Sequence, residues 1–340
     1  MTDSLAVRLQ NQKDHAISGR VAFAIAAMAL AVGSAVLAGW TPILFSIITV
    51  FLFAGPHNWL EFRYFLSRMP ARWGKLRGYF LAGFGGSAAI AASYLVLFVS
   101  AEMALLDAQV WYFLYQSWTS ALLIRIALMA DLRSQQPPRR NWIYVWPVII
   151  TLVALVWIVN LNVGLALVYI HPMMAFWLLD RELRRSRPQW RPVFHMLIAC
   201  VPLFVLALWW HLADAPPLPV NDELSNRISD HAGASILTGI SSHFLVATHT
   251  FLEMLHYGVW IVAIPTIGLR VAPWRIDTLP LVRNSPQWHR RIGIFMIASL
   301  VFVILLWTCF LIDYNTTRNI YFALAVFHVV AEVPFLLRAL

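Results

Sequence analysis

The chain has 340 residues, of which 60% are hydrophobic and only 12% charged, and its mean hydropathy is +0.70. Soluble domains carry roughly 25% charged residues, so this balance excludes an ordinary soluble globular protein, a disordered chain, a collagen and a disulfide scaffold. A net charge of +9 would point to nucleic acid only if the basic residues shared one solvated face, and their spacing along the chain says otherwise.

Apolar stretches of about twenty residues recur between polar breaks. They predict about ten spans, over 20–40, 42–62, 78–100, 109–130, 142–160, 163–180, 193–213, 240–266, 292–312 and 319–338. The polar start, 1–19, reads as a cytoplasmic segment before a retained first helix rather than a cleaved leader. With the N-terminus inside and ten crossings, 22 of the 25 basic residues fall on inner segments, among them Arg72, Arg270 and the run Arg181, Arg184, Arg185, Arg187 and Arg191. Only Arg227 and Arg318 fall outside, and Arg125 lies within a span, where it is expected to snorkel inward or to pair with Glu61 or Asp131. The expected fold is an all-α polytopic transmembrane helical bundle, a single integral membrane domain over 1–340, in an inner or plasma membrane with both termini cytoplasmic. Its positive charge is matched to anionic headgroups of the lipid bilayer, with no nucleic acid partner. The longest outer loop, 213–239, reads as solvated, with room for a short interfacial helix. Cys200 and Cys309 form no metal-knuckle spacing and no disulfide framework. No glycine-rich phosphate loop, Walker sequence, nucleophile elbow or internal repeat is present, which argues against an ATP-driven pump.

The chemistry lies in the histidines and glutamates. Three of the six glutamates follow a histidine by four positions: His57/Glu61, His249/Glu253 and His328/Glu332. Random order gives about 0.2 such pairs. All three glutamates fall inside or at the end of predicted spans, where an ionisable side chain costs several kcal/mol unless it is paired or functional. On a helix, positions i and i+4 share a face, so each pair offers an imidazole and a carboxylate to one point. His256 extends the second pair into a stripe, His249-x3-Glu253-x2-His256. His171 joins by depth: His57, His171, His328 and His256 precede inner arginines (Arg68, Arg181, Arg338 and Arg270) by 11, 10, 10 and 14 residues, or roughly 15 to 21 Å of helix. His57, His171, His249, His256 and His328 are therefore the candidate metal ligands, with Glu61, Glu253 and Glu332 as candidate catalytic, ligating or tautomer-fixing carboxylates. A donor set rich in imidazole and poor in thiol suits iron (Fe2+) best, with copper, zinc and manganese compatible. A proton or ion relay and plain helix-to-helix hydrogen bonding use the same residues and stay open. His15, His195, His211, His231 and His289 lie near predicted edges or loops and read as solvated.

Gly55-Pro56-His57-x3-Glu61 resembles the Pro-His-Gly-x-x-Asp segment of the Brp/Blh β-carotene 15,15'-dioxygenase family, multipass membrane iron enzymes that cleave β-carotene to retinal. Both place a histidine after proline and an acid four residues later, with Glu61 for the family's Asp and Asn58 for its Gly. The likeness covers about seven residues and implies an iron-ligating role for His57. The function expected on these grounds is non-haem iron oxidation by dioxygen of a lipophilic substrate, whether carotenoid, sterol, fatty acyl or quinone. A haem-binding redox subunit and a proton- or ion-coupled transporter are the alternatives.

Overall fold

The computed structural model describes residues 2–70, 74–137, 139–219, 222–267, 275–283 and 286–339. Arg72 and Arg270, both counted above among the inner charges, lie outside the described residues. Every regular element among the described residues is helical, in chain order α1 (Thr2–Trp40), α2 (Pro42–Arg68), α3 (Arg77–Glu102), α4 (Ala108–Ser134), α5 (Val145–Val159), α6 (Val163–Ser186), α7 (Arg191–Leu212), α8 (Glu223–His231), α9 (Ser242–Gly258), α10 (Ile264–Ile267), α11 (Pro280–Arg283), α12 (Pro286–Ile312) and α13 (Tyr314–Ala339). The all-α class follows from the solvent, because backbone polar groups in hydrocarbon are satisfied within a helix.

Nine helical segments among the described residues are long and apolar enough to cross a membrane. The stretch expected over 142–160 is shorter: α5 has 15 residues, about 22 Å against roughly 30 Å of hydrocarbon. Local chemistry sets its end. Asn160 adopts the left-handed conformation at φ 56° and its N–H bonds back to Leu155 O, the stop that Asn and Gly favour. At the other extreme, α1 is already helical at Thr2, so helix runs through the polar start. The stretch 213–239 does contain a helix, α8, nine residues long.

Asp222 caps α8 by accepting the Ser225 N–H at 2.8 Å and the Ser225 hydroxyl at 3.0 Å. These bonds hold its carboxyl below the usual aspartate range. A depressed acid lends stability above its unfolded pKa and loses it as pH falls through the folded one. The first turn of α8 is therefore expected to fray only below about pH 4, read as faster amide exchange at Ser225 and Asn226, and Asp222→Ala should show the same exchange at neutral pH.

The chain forms two compact units, residues 1–60 with 168–273 and residues 61–167 with 274–340. In the first, α1 packs on α7 and α9, and α8 lies on α9. Gly258 allows the close passage of α1, since a Cβ there would stand 2.2 Å from Leu30 Cδ2. In the second, α3, α4 and α13 pack together, with α5 on α4 and α12 on α13. Its core includes Ile90, Trp118, Leu122 and Val330. Arg125 makes neither expected pairing. It donates to Gly83 O (2.5 Å), Ser87 Oγ (2.7 Å) and Val330 O (3.4 Å), tying α4 to α3 and α13.

Candidate metal centre

In the first unit three helices each deliver a histidine to one place. His57 on α2 and His256 on α9 are both 2% exposed, and their ring centroids stand 5.3 Å apart. His171 on α6 is partly buried, with its ring 4.6 Å from His256. His256 is the ring common to both pairs. Pro56 has no N–H to continue the helical ladder of α2, and beside it His57 Nδ1 lies 3.0 Å from Phe53 O. A carbonyl only accepts, so Nδ1 carries the proton and Nε2 keeps the lone pair that a metal or an acid needs.

The sequence reading missed Tyr257. Its ring lies 4.5 Å from that of His57, and its hydroxyl donates to Glu253 Oε1 at 2.7 Å. The signal was present, because Glu253 and Tyr257 are themselves four apart on α9, but it is the same spacing that any helix pair shows. Glu253 is thus held by a phenol that packs on an imidazole. Directly after Gly258 the helix widens into a π turn, Val259–Ala263, a distortion that occurs often at functional sites.

His249 sits elsewhere. It lies seven residues before His256, roughly 10 Å along α9. Its ring is 5.1 Å from His231 of α8 and 6.1 Å from Tyr169. Tyr169 fixes that corner by donating to Ala232 O at 2.8 Å. His231, expected to be solvated, is instead partly buried against His249, because α8 folds the loop back onto α9. His195, expected to be solvated, is exposed and pairs with Asp180 at 2.7 Å.

The second unit gathers the other candidates. Glu61 is 3% and Glu332 1% exposed, and their carboxyl groups are near enough to repel each other when both are charged. A nitrogen of His328 is within 4.8 Å of a Glu61 oxygen, and one is within 4.8 Å of a Glu332 oxygen. His328 and Glu332 occupy successive turns of α13. Glu61 is carried one turn beyond His57 on the continuous helix α2.

Donor chemistry can be tested against these positions. With metal–nitrogen bonds of about 2.1 Å and ring centroids about 1 Å further out, imidazoles at neighbouring positions of one ion stand roughly 4.5 to 5.3 Å apart. The separations of 4.6 and 5.3 Å fall in that range. For these rings the fit is one of ring spacing alone, since His57, His171 and His256 do not bring one nitrogen each within 4.8 Å of one another; for His328 with Glu61 and with Glu332 the donor atoms themselves come within that distance. An imidazole with a carboxyl suits iron, manganese or zinc, and two neighbouring carboxyls equally well hold one proton between them. No family model, curated protein or solved structure matches the chain.

Proposed function

We propose that this protein is a membrane-embedded, iron-dependent oxidoreductase that acts with dioxygen on a lipophilic substrate. The observation that carries the reading is the meeting of His57, His171 and His256 from three separate helices of one compact unit. These residues would hold the ion. Ferrous iron supplies the one-electron chemistry with dioxygen that apolar organic substrates otherwise resist. The chain's own groups do the rest. The Phe53 carbonyl fixes the His57 tautomer, Tyr257 holds the Glu253 carboxyl, and the buried setting excludes water that would quench a reactive species. Glu61 and Glu332, with His328, form a station that stores a proton. The resemblance of Gly55-Pro56-His57-x3-Glu61 to the Brp/Blh family supports the role given to His57. In this reading the arginine-rich segments and both termini face the cytoplasm of an inner or plasma membrane.

Metal analysis of the purified protein by mass spectrometry is expected to give about one iron per chain, with no Soret band. Substoichiometric iron overturns the proposal. A Soret band would favour haem held by two of these histidines. One observation favours a second reading: the carboxyl pair Glu61 and Glu332 has the make-up of a proton relay. Proton-coupled flux that persists after rigorous chelation would establish that reading in place of the first.

A further inference from the structure

The first unit contains a groove of about 520 Å³ that the metal reading does not use. On α1 its floor runs from Gly19 to Ala31, mostly along one helical face (Gly19, Ala22, Phe23, Ala26 and Leu30) with Met28 off that face, and its walls come from α6, α7, α9 and α10. The size is that of a site for one small ligand. From Gly19 to Ala31 it runs twelve residues, about 18 Å, which matches the roughly 15 Å hydrocarbon depth of one leaflet. Ala22 and Ala26 are exposed, so the groove opens sideways along α1.

Its two ends differ. At one, Arg187 lines the mouth with its guanidinium 5.5 Å from the Trp190 ring. Trp190 in turn stacks on Phe23 at 5.3 Å and closes over Gly19. Arg187 has no carboxylate partner among the described residues, whereas nearby Arg191 is held through Nε and Nη2 by the two Asp180 oxygens. At the other end Leu30 and Gly258 meet, and Leu255, the neighbour of His256, completes the lining. A cation beside an indole at the mouth, and an apolar channel one leaflet deep behind it, describe the complement of an anionic amphiphile. One unmatched cation and the volume of one ligand select a single chain over a diacyl lipid. A carotenoid, having no charge, would leave Arg187 unused.

We infer that this groove binds one long-chain carboxylate, a free fatty acid, with its head on Arg187 and its tail along α1 toward the turn of α9 that carries His256. The binding stands on the groove alone; its role as the substrate class of the iron centre rests on the reading proposed above.

The test is fluorescence titration of the purified full-length protein with cis-parinaric acid, with iron measured in the same samples. Saturable binding of one probe per chain is expected. Arg187→Gln, at an exposed position, should weaken it at least tenfold, Ala26→Trp should abolish it by filling the channel, and palmitic acid should displace the probe at least tenfold better than hexadecanol. Absence of saturable binding in an iron-loaded sample overturns the inference and leaves the metal reading standing. So does binding indifferent to both substitutions, displacement by hexadecanol as effective as by palmitic acid, or equal displacement by phosphatidylglycerol. Saturable, Arg187-dependent binding in a protein that holds no iron upholds the groove and strikes only the metal reading.

Discussion

His256→Ala is expected to lower iron from about one per chain to less than a tenth, while His249→Ala leaves it unchanged. The two residues share a helix and a face, and sequence alone gives them equal standing. The difference is tertiary. His256 is the ring common to the His57 and His171 pairs, whereas His249 is turned to His231 and Tyr169. Loss of a hydrogen-bonded neighbour of a ligand typically costs 10- to 100-fold in metal affinity, so loss of a ligand shared by both pairs should exceed about 100-fold. His57→Ala and His171→Ala should follow His256→Ala. Equal iron in the His256→Ala and His249→Ala proteins, each shown to be folded by its helical circular dichroism, would refute the assignment.

Gly83→Val is expected to destabilise the second unit by about 3 kcal/mol or more, because overpacking of a close-packed site costs roughly 1 to 3 kcal/mol for small insertions and more where the neighbour is rigid. A Cβ at Gly83 would stand 2.6 Å from Pro334 Cγ and 3.3 Å from Pro334 Cβ, and a pyrrolidine ring has little freedom to move aside. The same passage carries two further ties: Tyr79 donates to Pro334 O at 2.7 Å, and Arg125 donates to Gly83 O. The valine would push α3 off α13 and strain both. Gly85→Val is the control, since a Cβ there meets nothing within 4 Å. Thermal unfolding in detergent should show a Tm several degrees lower for Gly83→Val and unchanged for Gly85→Val. Equal Tm values for the two would mean that the α3–α13 passage does not limit stability.

How much of this was legible beforehand differs by residue. The helices could be read because burial in hydrocarbon imposes long apolar runs that are visible one segment at a time. The stretch 142–160 forms a shorter helix than expected for a local reason: the turn before Val145 and the left-handed Asn160 trim α5 to 15 residues. The pairs His57/Glu61 and His328/Glu332 were legible from the helical repeat. That repeat could not say that Glu61 would meet Glu332 of α13, nor that Arg125 would turn to carbonyls of α3 and α13 instead of to an acid. Tyr257 went unseen because a lone tyrosine in an aromatic-rich span carries no distinguishing spacing.

The amino-acid sequence by itself determined the solvent, the helical class and which ionisable residues share a helix face, since each depends on composition and on a 3.6-residue period within one segment. Only the tertiary structure decided which histidines from different helices meet, that His249 departs from its stripe to face α8, and that α1 lies against α9 with a groove beside it. Those outcomes depend on how each helix is rotated about its axis and how closely its neighbour approaches. Rotation and approach are set by distant contacts such as Leu30 against Gly258 and Pro334 against Gly83, which no local pattern encodes.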